Sequence, residues 1–245
     1  MDTRVSTGST AVYLFDATPD ISYQLNLLAS VLEPQPQRPE RLRQPDGIFI
    51  THAHLGHIGG LPQLGPEAMA VTRLPLYAPA ELGYLLQAMP LWSPLVENLR
   101  IVPLSPGQYV DVAADVQITA VPVPHRDEWG AGTFAYKIQG PTRSLLYLPD
   151  IDRWDAWPEA AETLNSVDIA LVDGAFYSAA GVKRPFSRRP SLIPDTLQRF
   201  AHLDCELVLT HLNHTNPTLD VDSPIRAQVA AAGVQIAQTG QMFTL

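Results

Sequence analysis

One cysteine, Cys205, is all that the 245 residues contain, which excludes an internal disulfide and any Cys-rich zinc module. Lying between Asp204 and Glu206 at the entrance to an apolar strand, it reads as a small core residue, since a nucleophile would need an acid–base partner and none is adjacent in sequence. Positive charge is also scarce: 16 Lys and Arg against 25 Asp and Glu give a net charge of −9, with no long basic run. A nucleic-acid backbone is held by clustered Lys and Arg, so no nucleic-acid partner is expected. No apolar stretch approaches the ~20 residues of a membrane span. Met1-Asp2-Thr3-Arg4-Val5 lacks the apolar core of a signal peptide. The expectation is a cytoplasmic protein with no membrane partner and a small-molecule substrate, with a homodimer left open.

Hydrophobic residues at 46% and charged residues at 17% give a globular balance. The length allows a single domain over 1–245 with a large core. Apolar runs at 11–16, 47–50, 76–79, 101–103, 109–112, 116–123, 134–139, 144–148, 169–172, 206–209 and 234–237 read as strands. Amphipathic stretches at 20–32, 80–89, 155–164, 196–203 and 224–232 read as helices, with a further helix beginning at Gly59-Gly60-Leu61-Pro62. Strands alternating with helices predict an α/β fold. Glu33 to Pro39, with three prolines, reads as a plain surface loop. Pro90 to Leu95, containing Trp92, is either a substrate wall or a packed corner. The one local basic concentration, Lys183, Arg184, Arg188 and Arg189 between Ala179 and Pro194, is either a solvated loop or one that closes over an anionic substrate.

The densest chemistry lies in Thr51-His52-Ala53-His54-Leu55-Gly56-His57, where three of seven histidines fall within six residues, directly after the strand-like Gly47-Ile48-Phe49-Ile50. Imidazole is a common ligand for zinc and iron. Histidines at i and i+2 at a strand's end can aim at one ion once the backbone turns, and a third within a helical turn reaches the same ion or a neighbour. Other apolar runs finish the same way: Val121 to Pro124 on His125, Leu145 to Pro149 on Asp150, and Glu206 to Thr210 on His211, with His214 three residues on. His202, after Phe200-Ala201 at a helix end, stands outside the clusters.

The order H-x-H-x-x-H, then His, Asp and His, resembles the metallo-β-lactamase superfamily over nearly the whole chain. The resemblance implies a four-layer αβ/βα sandwich with a binuclear metal site. Carried over by position, His52, His54 and His125 would hold the first metal, Asp150 would bridge, and His57 and His211 would hold the second. The superfamily pattern has Asp immediately before the third His of the first motif, where this chain has Gly56. Tyr147 to Trp154, Leu171 to Phe176, Thr210 to Pro217, Leu219 to Pro224, Ala231 to Val234 and Asp16-Ala17-Thr18-Pro19-Asp20 resemble the pyrroloquinoline quinone biosynthesis protein B family. That family usually has a Cys-rich segment, lacks the first two histidines of the metal motif and has Asn where His214 stands. The chain is therefore read as a relative with an H-x-H-x-G-H motif, to which the cofactor-pathway role does not transfer.

One or two divalent ions are the expected cofactor, zinc first, with manganese or iron as alternatives. A metal-activated water on a small ester, lactone, amide or phosphodiester is the expected chemistry. Asp150 and His214 are the candidate catalytic residues; His214 either donates a proton or hydrogen bond or props His211 or Asp150. Asp127, Asp152 and Asp173 are candidate partners of the ligands, Asp173 alternatively capping a turn. Two His and one carboxylate also suit a non-haem iron oxygenase, the chemistry suggested for the biosynthetic family. A metal- or ligand-binding protein without turnover is the third reading.

Overall fold

The computed structural model describes residues 2–7, 9–29, 32, 34–35, 38–179 and 191–245. It divides into two compact units, Met1–Ala114 with Asp127–Phe134, and Asp115–Arg126 with Ala135–Leu245.

In the first unit the elements are β1 (Asp2–Thr7), β2 (Ser9–Phe15), α1 (Ile21–Leu27), β3 (Pro34–Gln35), β4 (Arg38–Leu42), β5 (Gly47–Phe49), α2 (Leu55–Ile58), β6 (Leu74–Pro79), α3 (Ala80–Ala88), α4 (Ser93–Val96), β7 (Leu99–Leu104) and β8 (Tyr109–Ala113). Five of these strands form a sheet in the order β1-β2-β5-β6-β7, antiparallel only between β1 and β2. Parallel strands buried on both faces need apolar side chains at every position. Ile48 packs with Val12, Leu14 and Leu76 against Ile21, Leu25 and Leu82 of the helices. Phe49, pointing the other way, stacks on Tyr77 at 4.4 Å and on Phe15 at 5.3 Å between ring centroids.

The proline-rich stretch departs from the plain loop read from the sequence. Pro34 pairs with Leu42 and Gln35 with Arg38 in an antiparallel ribbon. Both strands of such a ribbon are edges, where the missing N–H of proline breaks no central ladder. Glu33, Pro36 and Gln37 lie outside the described residues. Of the two readings for Pro90 to Leu95, the packed corner is what forms. Trp92 is buried in the core of this unit, and a 3-10 turn over Pro90–Trp92 leads into α4.

The second unit holds β9 (Val116–Pro122), β10 (Phe134–Gln139), β11 (Ser144–Leu148), α5 (Ala160–Asn165), β12 (Ile169–Asp173), α6 (Ile193–Phe200), β13 (Glu206–Thr210), α7 (Pro224–Ala231) and β14 (Gln235–Ile236). Its strands run in the order β14-β13-β12-β11-β10-β9. The β10–β11 hairpin turns where the Gly140 N–H donates to the Arg143 carbonyl at 3.0 Å, and β11 to β14 then run parallel. Leu146, Leu148, Ala170, Val172, Leu207 and Leu209 alternate onto one buried face with Trp154, Phe200 and Val229. Cys205 belongs to the same core, and burial raises its thiol pKa, in keeping with the structural reading.

Helix boundaries moved where proline sits. The helix expected over 155–164 is a 3-10 turn at Trp154–Ala156 followed by α5, because Pro158 cannot continue a helix. α6 begins at Ile193, earlier than expected, since Pro194 fits the first helical turn, where its missing N–H has no partner to lose. The basic residues Lys183, Arg184, Arg188 and Arg189 lie outside the described residues. Among the described residues no helix is long and apolar enough to cross a membrane.

Asp168 fixes the start of β11, accepting from the Ser144 N–H at 2.7 Å and the Ser144 hydroxyl at 2.9 Å. Those two bonds hold its carboxyl below the usual carboxylate range. A depressed folded-state pKa lends stability that is present above the unfolded value of about 3.9 and lost as the pH falls through the folded value. Asp168→Asn is therefore expected to lower the urea midpoint at neutral pH, and the gap from wild type to close in strong acid. Midpoints measured at both pH values check this.

Candidate metal centre

In the first unit the site is built around a carboxylate. Asp16 follows β2 in the left-handed region at φ 62°, and its N–H donates to the Phe49 carbonyl at 2.8 Å. This turn sends the carboxylate across the end of β5. There it accepts from the Thr51 N–H at 2.8 Å, the Thr51 hydroxyl at 3.0 Å and the His57 Nδ1–H at 2.8 Å. A hydroxyl has one proton to donate. With that proton on Asp16, Thr51 Oγ1 accepts from His52 Nδ1 at 2.9 Å. Asp16 thus orients two histidines, His57 directly and His52 through Thr51. In both, Nε2 becomes the lone-pair nitrogen.

His54 is oriented the opposite way. Its Nε2–H donates to Glu128 Oε2 at 2.8 Å, which makes Nδ1 the lone-pair atom. That Nδ1 lies 2.8 Å from His52 Nε2, with the rings at 83°. Two lone pairs pointed at one another repel unless a proton or a cation sits between them. Nitrogens bound 2.0–2.1 Å from a tetrahedral metal lie about 3.3 Å apart, so this pair fits a shared divalent ion after a small outward shift. The donor chemistry suits the expected metal.

His57 is carried by α2, which begins at Leu55 with His54 as its N-cap. The helix expected from Gly59 thus starts four residues earlier, and only a 3-10 turn follows at Leu61–Leu64. The loop after β2 clasps this turn: Ala17 N–H donates to the His57 carbonyl at 2.7 Å, and Gly60 N–H to the Ala17 carbonyl at 2.8 Å. A Cβ on Gly60 would stand 2.0 Å from the Thr18 carbonyl oxygen, so only glycine permits the approach. At Gly56 the reverse holds, and a Cβ there would meet nothing within 4 Å.

In the second unit the candidates sit at the carboxyl ends of strands. β11, β12 and β13 run parallel and in register, with Asp173 opposite Thr210. This brings Asp150, Asp173 and His211 to one edge. His211 Nδ1 lies 3.5 Å from Asp150 Oδ1 and 3.9 Å from Asp173 Oδ1. His125 and His211 each offer a ring nitrogen within 4.8 Å of an Asp150 carboxylate oxygen. Burial raises the Asp173 pKa, with His211 pulling it down and the Asp150 charge pushing it further up. Of the two roles read for Asp173, the structure shows both: it faces His211, and it accepts from the Ala175 N–H at 2.8 Å as a turn cap.

Asp152 is the partner of His125, its Oδ1 lying 3.2 Å from His125 Nδ1. Burial alone would raise the Asp152 pKa, but the nearby His125, aided by the hydrogen-bonded Arg126, holds it below the usual carboxylate range. Asp127 has another job. It caps the following turn, accepting from Trp129 N–H at 2.9 Å and Gly132 N–H at 2.6 Å.

His211 adopts φ 57°, an unusual region for a non-glycine residue. The buried Asn216 holds its loop there. The Asn216 amide donates to the Gly174 carbonyl at 2.7 Å and accepts from the Thr218 N–H at 3.0 Å, tying the loop after β13 to the loop after β12. His214 lies in the turn between, exposed, and makes no hydrogen bond to another described residue. His202 is exposed after α6 and lies apart from these groups in the chain.

Reading the sequence missed Asp16, Thr51, Glu128 and Asn216 as site residues. Asp16 had a signal, because it ends an apolar strand just as Asp150 does. Glu128 and Asn216 had none, since their partners lie 74 and 42 residues away.

A profile described as "Beta-lactamase superfamily domain" matches residues 12–219. The chain is 29% identical to coenzyme PQQ synthesis protein B of Azoarcus sp. (strain BH72), over 95% of this chain and 83% of that protein. Zn(2+)-bound PqqB from Methylobacterium extorquens superposes with a TM-score of 0.83 at 20% identity, covering 99% of this chain and 86% of that one. A diphosphatase from the PhnP family superposes with a TM-score of 0.66 at 20% identity, covering 100% and 84%.

The room at Gly56 yields an expectation. Gly56→Asp adds a carboxylate one residue before His57 without a steric clash. It should raise the number of zinc ions retained per chain, measured by plasma mass spectrometry after gel filtration. An unchanged stoichiometry would contradict the reading of Gly56 as a lost ligand.

Proposed function

The chain belongs to the beta-lactamase superfamily domain family, and from that membership we propose that it is a divalent-metal-dependent hydrolase of a small ester, lactone, amide or phosphodiester. Its fold is that of the metallo-β-lactamases. The observation that carries the reading is the way the histidines are held. His52, His54 and His57 each have one ring nitrogen bonded to a hydroxyl or carboxylate of the protein, namely Thr51, Glu128 and Asp16, and His125 Nδ1 lies 3.2 Å from Asp152. Metal-ligating histidines are anchored in this manner, the second nitrogen being kept for the ion. A buried structural histidine also bonds its N–H, but it has no reason to face a lone-pair nitrogen towards that of another histidine, as His52 and His54 do at 2.8 Å.

In this proposal His52, His54 and His125 would hold one ion and His57 and His211 a second, with Asp150 as a ligand common to both. The zinc-bound relative makes zinc the first metal to try. When bound, such an ion lowers the pKa of a coordinated water to about 7 and polarises a carbonyl or phosphoryl oxygen. Asp150 would supply the anionic charge beside the ions, with Asp173 and Asp152 the carboxylates near His211 and His125. In the same proposal His214, exposed and making no hydrogen bond to another described residue, hands a proton to a leaving group. Against its other reading, a prop for His211 or Asp150, stands the lack of a hydrogen bond from His214 to another described residue.

The oxygenase alternative rests on Gly56, which leaves two histidines and one carboxylate for the second ion, a set that also suits iron(II). One assay separates the two. Zinc- or manganese-loaded protein is given p-nitrophenyl acetate, bis-p-nitrophenyl phosphate and a lactone, in air and under argon. Hydrolysis that a chelator abolishes and argon leaves unchanged is the expected result, with His214→Ala lowering kcat by about 10²-fold or more. Turnover that requires both iron and oxygen would overturn the hydrolase.

A further inference from the structure

A cavity of about 640 Å3 lies in the second unit, walled by α7, by β14 at the edge of the sheet and by residues 238–241. Small-molecule sites commonly measure about 300–1,000 Å3. None of the candidate metal ligands lines it, and neither does any Asp or Glu. Acids outnumber Lys and Arg by 25 to 16 in the chain, so a cavity whose one charged side chain is Arg226 is set apart by its sign. Arg226 is partly buried on the first turn of α7, where the positive end of the helix dipole disfavours a cation. Its Nη1 donates to the Thr218 carbonyl at 2.9 Å, which fixes the side chain. Among the described residues it makes no ion pair, and a guanidinium has five N–H donors in all.

The wall made by β14 and the segment after it is fixed by a chain of hydrogen bonds. Gln235 Nε2 donates to Glu206 Oε1 at 2.7 Å, and Gln235 Oε1 accepts from Gln241 Nε2 at 3.1 Å. Gln241 Oε1 in turn accepts from the Gln238 N–H at 3.1 Å. The carboxylate that anchors this chain is paired through its other oxygen with Arg143 at 3.1 Å, so its charge is balanced there. The Gln238 amide and the Thr239 hydroxyl also line the cavity, and neither bonds to a described residue. We propose that this cavity binds a small hydroxylated organic anion, its carboxylate or phosphate head on Arg226 and its hydroxyl groups on Gln238 and Thr239. A guanidinium fork matches both kinds of oxyanion. A cationic ligand would meet Arg226 with no acid to offset it, and an apolar one would cover the guanidinium and the amide without giving them partners. The site stands apart from the metal centre and does not rest on the hydrolase reading.

The test titrates the full chain, zinc-loaded and metal-free, with glycerol 3-phosphate, glycerate and the uncharged glycerol, following backbone amide resonances by NMR. Both anions are expected to shift the Thr239 and Gly240 amides saturably, with or without zinc, and to bind about tenfold or more tightly than glycerol. The tighter of the two names the head group. Arg226→Gln should lower anion affinity about tenfold or more at an unchanged melting temperature. Because Arg226 also holds Thr218, Ala230→Phe serves as a second variant that obstructs the cavity from α7 and leaves the guanidinium in place. It should weaken the anions by a similar factor. Glycerol binding as tightly as the anions, no saturable shift at those amides, or an affinity that survives either folded variant would overturn the inference. Shifts that appear only with zinc would move the anion to the metal centre and overturn it as well.

Discussion

The interaction on which the candidate site depends is the set of hydrogen bonds into one buried carboxylate, Asp16. It takes three protein donors within 3.0 Å: the Thr51 amide, the Thr51 hydroxyl and the His57 ring. Through the Thr51 hydroxyl it also sets the tautomer of His52. To face these donors its backbone occupies the left-handed region, a strain on the order of 1–2 kcal/mol for an L-residue, though Asp tolerates it better than most. The hydrogen bonds offset that strain. The Asp16 oxygen accepts from His57 at 2.8 Å, which puts the imidazole proton on Nδ1 and leaves Nε2 for a metal.

The same economy operates in the second unit with different parts. Parallel strands β11, β12 and β13 end in register, so acidic residues and His211 gather at one edge with no long loop needed to bring them there. This is where open α/β sheets commonly place ligands. Loops after β12 and β13 are then fastened to each other through Asn216, which uses both ends of its amide. In both units a strand supplies direction, a polar side chain from another loop supplies orientation, and the apolar core beneath supplies rigidity. The candidate ligands lie beyond the strand ends, and a central strand such as β11 buries all five of its residues.

Much of this was legible from residue order. Apolar runs ending on His or Asp located β5, β9, β11 and β13 together with the candidate ligands at their ends, and the hairpin at Gly140 was marked by its turn residues. Family resemblance, carried by the same motifs, anticipated the fold. What stayed hidden was whatever depends on contacts between distant segments. Asp127 and Asp152 each lie two residues from a candidate ligand and look equivalent in sequence. Only Asp152 reaches an imidazole, and the one it reaches is His125, 27 residues away, whereas Asp127 closes a local turn. The short helix at Leu55 was hidden too, because one turn carries no periodicity. Its start is set by the backbone bond from His57 to the His54 carbonyl and by the clasp of the Ala17 loop.

The most direct measurement is zinc affinity and stoichiometry of metal-free protein, determined by chelator competition for wild type and Asp16→Ala. Wild type should take up one or two ions per chain, and loss of the orienting carboxylate should weaken uptake by about 10- to 100-fold while the far-ultraviolet circular dichroism stays the same. No zinc uptake by wild type, or an unaltered affinity in a folded Asp16→Ala variant, would contradict the account.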